Sequence, residues 1–208
     1  MGLYKHLNTL WKKPKENLGA EVWKHHLMAW RRDPSTLRIE YPSKLARARS
    51  LGYRAKKGIF LVRQRILRGG HQREWKGGRK SSNQRVVLVM EQNYQHISEI
   101  RVAKQYPGCE VLNSYLVAKD GQHYWFEVIM VDRNSPTILN DKLLSWINSS
   151  NNKGRVFRGL TSAAKRSRGL RWKGKGAEKA RPSRAVTASA KGERHNRSPE
   201  FLKKFHMK

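Results

Sequence analysis

The sequence has one cysteine, few acidic side chains and no long apolar run. The single cysteine, Cys109, excludes an internal disulfide and a zinc site built from several thiolates. No stretch approaches the roughly 18 to 20 apolar residues that span a bilayer, and residues 1–15 lack the apolar centre of a signal peptide. We therefore expect a soluble, cytoplasmic protein that does not use a membrane.

Acidic residues are scarce relative to basic ones. The chain has 15 Asp and Glu against 45 Lys and Arg, a formal net charge of +30 and a pI near 11.0. Solubility needs far less charge than this, so we expect a polyanionic partner. Residues 83–152 hold six basic and seven acidic side chains, so all the excess positive charge lies on either side of them. This pattern predicts an ordinary core with two basic extensions. Such extensions suit a partner with crevices, such as a large folded RNA, better than a straight DNA duplex.

Side-chain patterns for catalysis are also missing. Residues 169–176 come closest to a phosphate-binding P-loop, but Gly176 replaces the hydroxyl residue that would hold magnesium, and no buried strand precedes it. The sparse carboxylates show no spacing typical of an acid–base pair or a metal site. We therefore predict no enzymatic activity, no metal site and no cofactor.

Residues 1–56 are predicted to form a basic helical arm. Apolar residues at helical spacing predict helices over residues 3–11 and 15–32, each stopped by a proline. A short basic helix follows over residues 43–51 and is closed by Gly52. Because a basic surface favours phosphate contacts, the candidate RNA-binding residues here are Arg47, Arg49, Arg54 and Lys56.

Residues 57–150 are predicted to form the core, an α+β fold with a small antiparallel sheet. Alternating side chains predict a strand over residues 59–67 with one buried face. Arg63 and Arg65 share its other face, which is either simply solvated or in contact with phosphate. With Lys57 they join the candidate RNA-binding residues.

A β-hairpin is predicted over residues 111–131, because the Asp-Gly dipeptide at 120–121 separates two β-rich runs. Both faces would carry large apolar side chains, so we expect the sheet to be at least partly covered on both sides. A two-residue turn would pair residues across the hairpin as follows: Tyr115 with Phe126, and Leu116 with Trp125.

Two helices complete the predicted core, one over residues 84–105 and one over residues 136–147. Residues 68–80 hold two Gly-Gly pairs and many cations, which predicts a flexible basic loop, with an unstructured linker as the alternative. An aromatic residue in such a loop can stack on an unpaired base. The candidates are Arg68, Arg73, Lys76 and Arg79 for RNA binding and Trp75 for stacking.

Residues 151–208 are predicted to be a basic extension that RNA orders. Thr161 would cap a short helix over residues 162–168, but the segment shows no continuous apolar stripe. We therefore expect the core to stay folded without residues 153–208. The candidates here are Arg158, Lys165, Arg166, Arg168, Arg171, Lys173 and Lys175 for RNA binding, and Phe157 and Trp172 for base stacking.

Several stretches have a pattern in common with one known family: RGLTSA with SRGL at 158–170, LGYRAKKG at 51–58, LNSYLV at 112–117 and FEVI at 126–129. With the start of the chain, they resemble the large-subunit ribosomal protein fifteen family of archaea and eukaryotes over residues 1–176. The resemblance implies a small α/β core with extended segments in ribosomal RNA. Ala164, Arg133 and His71-Gln72 depart from the family pattern.

Charge and resemblance together predict a structural constituent of the large ribosomal subunit that binds and braces ribosomal RNA. Its expected partners are that RNA and neighbouring ribosomal proteins, and we expect it not to form a homo-oligomer. Composition alone leaves two alternatives open. One is a general nucleic-acid-compacting basic protein, and the other is an RNA-modifying enzyme or nuclease, which would need a catalytic site.

Overall fold

The computed structural model describes residues 2–72, 87–88 and 90–171. One compact unit runs from Met1 to Ser167 and a second from Arg168 to Lys208, of which only residues 168–171 are described. The fold class is α+β, as predicted. Seven of the candidate residues lie outside the described ranges: Arg73, Trp75, Lys76, Arg79, Trp172, Lys173 and Lys175.

The N-terminal part begins with three helices, α1 (Leu3–Leu10), α2 (Pro14–Asn17) and α3 (Ala20–Arg32). The single helix predicted over residues 15–32 is therefore wrong. Gly19 has a φ of +91°, a left-handed conformation that interrupts the helix between α2 and α3. Asn17 closes the end of α1 by donating its amide hydrogens to the backbone carbonyls of Thr9 and Leu10, at 3.2 and 3.0 Å.

A four-stranded antiparallel sheet follows, with strand order β1-β2-β6-β5. Its strands are β1 (Thr36–Ile39), β2 (Ile59–Leu67), β5 (Cys109–Lys119) and β6 (His123–Asp132). The sequence analysis missed β1, an edge strand of only four residues. Helix α4 (Leu45–Ser50) lies between β1 and β2, and a separate pair, β3 (His71–Gln72) and β4 (Val87–Leu88), follows β2.

Both faces of the sheet are covered, as predicted. On one face α3 and α4 pack with residues 136–148 over a cluster that includes Trp30, Leu61, Trp125 and Ile129. On the other face α5 (Tyr94–Gln105) packs over a cluster with Val62, Val102, Val128 and Met130. The alternation of Leu61 and Val62 between the two clusters follows from the two-residue period of a strand.

The hairpin forms, but its register differs from the predicted one. Tyr115 lies opposite Glu127 and Leu116 opposite Phe126, with a β-bulge between Leu116 and Ala118. Asp120 sets the turn, because its Oδ1 accepts hydrogen bonds from the backbone N–H groups of residues 122 and 123 at 2.8 and 2.5 Å. This side-chain turn places the two central residues one position later than an Asp-Gly turn would.

Two predicted helices are shorter than expected. Helix α5 begins ten residues after the predicted start, where Asn93 caps it by accepting a hydrogen bond from His96 N–H at 2.8 Å. Helix α6 (Pro136–Leu139) ends early because the carboxylate of Asp141 accepts the N–H of Leu143 at 2.8 Å, which favours a turn. Two short 3₁₀ helices follow, Ser145–Asn148 and Ser150–Asn152.

Gly58, immediately before β2, lies where the end of the sheet is too tightly packed for a side chain. Its φ is +90°, and an added Cβ would lie 2.6 Å from Ser135 Oγ and 2.9 Å from Ile138 Cγ1. We expect Gly58→Ala to lower the free energy of unfolding by about 2 to 5 kcal/mol, because backbone strain and overpacking add. Urea unfolding measures the effect. Gly108→Ala is the control, since its Cβ would meet nothing within 4 Å, and an equal loss there would contradict the prediction.

Candidate nucleic-acid interface

The basic segment 153–167 packs on the sheet and on α5. Thr161 caps α7 (Ser162–Ser167) as predicted, accepting the N–H of Ala164 at 3.3 Å. Val156, Ala163 and Ala164 are buried, the last of them completely. The segment lacks a continuous apolar stripe, as the sequence showed, but it still buries part of its surface against the core. Two adjacent alanines suffice, because their small side chains let α7 approach α5 and β5 closely.

A buried carboxylate on α5 holds this segment in place. Glu99 accepts hydrogen bonds from Thr161 Oγ1 at 2.6 Å and from Ser114 Oγ on β5 at 2.5 Å. Burial raises the pKa of the Glu99 carboxyl, while both hydrogen bonds and the nearby Arg155 act to lower it. Arg155 also donates to the carbonyl of Val111 at 3.1 Å. The first part of the C-terminal extension is thus tied to the core by polar contacts as well as by packing.

A second buried carboxylate holds the N-terminal part. Glu127 on β6 is fully buried and accepts hydrogen bonds from Ser43 N–H at 3.2 Å, from Ser43 Oγ at 2.5 Å and from the Tyr115 hydroxyl. Lys44, the next residue, donates to the carbonyl of Leu116 at 3.0 Å and lies 5.1 Å from the centre of the Trp11 ring. These contacts fix the chain just before α4.

The two arginines of β2 lie beneath α3. Arg63 donates to Asp33 at 2.5 Å and lies 4.9 Å from the centre of the Trp30 ring, with 12% of its side chain exposed. Arg65 donates to the backbone carbonyls of Trp30 and Arg31. Both residues therefore attach α3 to the sheet, and contact between them and RNA stays a prediction.

The candidate residues of the N-terminal basic tract all lie at the surface. Arg49 donates to the Tyr4 hydroxyl and lies over its ring at 5.5 Å, and Lys56 forms an ion pair with Asp141 at 2.7 Å. Arg54 donates to the backbone carbonyl of Tyr53 at 3.0 Å, and neither it nor Arg49 is paired with a carboxylate by these contacts, so most of the tract's charge is uncompensated. The exposed residues are Arg47, Arg49, Arg54, Lys56 and Lys57.

The start of the predicted basic loop is anchored to the hairpin and to α5. Arg68 donates to the carbonyl of Asp120 at 2.6 Å and lies 5.2 Å from the centre of the Tyr124 ring. Tyr94 stacks on Tyr124 at 5.0 Å, and its hydroxyl bonds both the N–H and the carbonyl of Gly69 at 2.9 Å. The exposed Arg68 is thus held at a defined place.

The candidates of the C-terminal segment lie in different settings. Arg158 is exposed and donates to the backbone carbonyls of residues 151 and 153, which shapes the turn before α7. Phe157 is 56% exposed, so its ring is open to stacking. Arg166 is exposed and Lys165 half-buried on α7. Two further candidates lie in the described start of the second unit: Arg168 and Arg171.

Sequence reasoning missed Arg38, an exposed cation on β1 that lies 4.7 Å from the centre of the Phe60 ring. The signal was weak, because a four-residue edge strand shows almost no alternation.

Within the described ranges, no three His, Cys, Asp or Glu side chains are placed to hold a metal ion together. Every helix in that part of the chain is too short or too polar to cross a bilayer.

Many carboxylates of the described residues bind groups of the chain itself, which leaves a surface dominated by cations. Each of the following accepts a hydrogen bond within the fold: Asp33, Glu99, Glu110, Asp120, Glu127 and Asp141. Burial and internal pairing remove much of the negative charge that would repel a polyanion. The charge offered to a partner is therefore basic.

Comparison with known proteins gives an independent observation. A family model described as Ribosomal L15 matches residues 2–187. The large ribosomal subunit protein eL15 of Methanocella arvoryzae is 43% identical over 182 residues, which is 86% of this chain and 93% of that relative. The match covers every described residue and continues past residue 176, where the resemblance read from motifs ended.

Proposed function

Because the chain belongs to the Ribosomal L15 family, we propose that it braces ribosomal RNA through its two basic segments. The chain is a structural constituent of the large subunit of the cytoplasmic ribosome, and it is not an enzyme. The family predicted from the motifs is thus confirmed. Its partners are ribosomal RNA and other proteins of the subunit.

The distribution of charge is the observation that carries the proposal. Carboxylates such as Glu99 and Glu127 are buried and bonded inside the fold, whereas cations such as Arg47 and Arg166 are exposed on segments that the core holds in place. Exposed Lys and Arg bind phosphates and release counterions, which supplies affinity without catalysis. A cation on a fixed segment loses less conformational entropy on binding than one on a free chain.

We propose a division of labour along the chain. Residues 1–56, the basic loop at 68–80 and residues 151–208 supply most of the RNA contacts, and the rest of residues 57–150 forms the scaffold that positions them. The contacts of residues 153–167 with α5 mean that part of the C-terminal segment serves both purposes. We also propose that a single copy of the chain acts in the subunit and that it does not form a homo-oligomer.

Removing one exposed cation from each basic segment tests the proposal. We expect Arg47→Gln with Arg166→Gln to lower the slope of log K against log salt by about 1.5, because each lost phosphate contact removes about 0.7 to 0.9. Binding of purified full-length protein to folded large-subunit RNA is measured across a salt series, with transfer RNA and duplex DNA as competitors.

The control removes the same charge from the neutral part of the chain. Lys119→Gln with Lys142→Gln takes away two exposed cations between residues 83 and 152 and is expected to leave the slope unchanged. Equal losses in the two double variants would mean that net charge alone sets the affinity. Binding to transfer RNA or duplex DNA as tight as to large-subunit RNA would favour general compaction of nucleic acid.

A further inference from the structure

A cleft of about 400 Å³ opens at one end of the sheet, where β1 and β2 meet the C-terminal end of α5 and the start of β5. Its walls combine aromatic rings, cations and a carboxylate. The volume falls within the range of about 300 to 1,000 Å³ found for small-molecule sites. Six lining residues matter for its chemistry: Arg38, Lys56, Lys57, Phe60, Tyr106 and Asp132.

One wall of the cleft is a cation that lies over the first ring of a tilted aromatic pair. The guanidinium of Arg38 lies 4.7 Å from the centre of the Phe60 ring, and the Phe60 and Tyr106 rings are 5.3 Å apart at an angle of 60°. Because Arg38 is exposed, the face of its guanidinium away from Phe60 is accessible. Planar guanidinium groups and aromatic rings are the surfaces on which unpaired RNA bases stack.

The rest of the cleft can bind the other parts of a nucleotide. Lys57 is exposed, and among the described residues its ammonium group has no hydrogen-bond or ion-pair partner. Lys56 pairs with Asp141 across the rim at 2.7 Å. Asp132 accepts the N–H of Asn134 at 3.0 Å and has further acceptor capacity. A cation suits a phosphate, whereas a carboxylate suits the hydroxyl of a ribose or the amino group of a base.

We propose that this cleft binds one unpaired nucleotide of RNA. The base stacks on Arg38 beside Tyr106, the phosphate binds Lys57, and Asp132 accepts a hydrogen bond from the ribose or the base. A simple anion would use the cations but neither the rings nor the carboxylate, so a nucleotide fits the lining better. The inference rests on the proposed function, since it takes RNA to be the partner.

The single cysteine provides a local test, because Cys109 lines the same cleft and is half-buried. Alkylation of Cys109 is followed in the full-length protein with single-stranded oligouridylate or with an abasic oligomer of equal length. We expect oligouridylate to slow alkylation at least about fivefold more than the abasic oligomer, since base stacking supplies at least that factor in affinity.

Two variants separate the roles of the residues. Arg38→Lys keeps the charge but removes the planar stacking surface, and it is expected to reduce the protection by oligouridylate to the abasic level. Lys57→Gln is expected to weaken protection by both oligomers. Lys119→Gln, which removes an exposed cation outside the cleft, is the matched control and should leave the difference between the oligomers intact. Both cleft side chains are exposed, so the variants are expected to fold.

The outcomes distinguish this inference from the proposed function. Equal protection by the two oligomers would overturn the inference, because only charge would then be recognised. An unprotected Cys109 in a protein that still binds large-subunit RNA would overturn the inference and leave the proposed function intact. Failure to bind any RNA would overturn both.

Discussion

A chain that ends at Asn152 is expected to lose cooperative folding, whereas a chain that ends at Arg171 is expected to keep it. The shorter chain lacks Val156 and α7, which are buried against α5 and β5. It also leaves Glu99 without the hydroxyl of Thr161. We expect the loss to be on the order of 5 kcal/mol, which is comparable with the whole stability of many domains.

Urea unfolding followed by far-ultraviolet circular dichroism measures this difference. The chain ending at Arg171 is the control, because it keeps Val156, α7 and the hydrogen bond from Thr161 to Glu99. It should unfold at nearly the same urea concentration as the full-length protein while binding RNA less tightly, since it lacks the basic residues after Arg171. If the chain ending at Asn152 unfolded with the same midpoint and slope, the packing of residues 153–167 would contribute nothing to stability.

The opposite result was predicted from the sequence, and the reason is physical. Helix prediction looks for a stripe of large apolar side chains, and α7 has none. Its burial depends on Ala163 and Ala164, which gain contacts because they are small, and on the hydroxyl of Thr161 meeting Glu99. Neither interaction leaves a local pattern, because the partner lies about sixty residues earlier in the chain.

The elements that sequence predicted well are those with local determinants. The alternation in β2, the position of the hairpin and the cap at Thr161 all depend on residues close together in the chain. One kind of error occurs where a single polar side chain decides, as at Asp120, whose carboxylate shifts the turn by one residue. An Asp-Gly pair does not reveal whether the glycine or the aspartate will shape the turn.

The sequence predicted which residues make up the candidate site, but it could not predict what surrounds each side chain. Arg63 and Arg65 share one face of β2, as their spacing predicted, but that face also carries the buried Leu61 and is covered by α3 rather than open. A two-residue period cannot tell whether such a face meets solvent or a helix that comes earlier in the chain. Here Trp30 and Asp33 of the α3 region supply a ring and a carboxylate, which make burial of Arg63 favourable.

Glu127→Gln is expected to change how stability depends on pH. Burial raises the pKa of the Glu127 carboxyl above its ordinary value of 4.5, although Ser43, Tyr115 and the nearby Arg63 act to lower it. The folded protein therefore binds this proton more tightly than the unfolded chain does. The resulting stabilisation is fully present below about pH 4.5 and is lost as pH rises through the raised pKa.

Glutamine resembles the protonated carboxyl and does not titrate, so the variant keeps the stabilisation that the wild type loses as pH rises. We expect the free energy of unfolding of Glu127→Gln, relative to the wild type, to increase as pH rises above about 4.5 and to level off once the raised pKa of the wild-type carboxyl is passed. Urea unfolding at fixed ionic strength across this range measures the difference. Taking the difference between two proteins cancels the titration of every other group that both share.

Two further variants identify the cause of that slope. Glu40→Gln removes a charge from an exposed position and should run parallel to the wild type. Glu127→Leu removes the acceptor altogether, so Ser43 N–H and the Tyr115 hydroxyl lose their partner, and it should be destabilising at every pH by about 3 to 5 kcal/mol. A constant difference between Glu127→Gln and the wild type would mean that the ionised carboxylate is fully compensated by its donors. Burying the ionised carboxylate would then not lower the free energy of unfolding, contrary to the direction in which burial shifts its pKa.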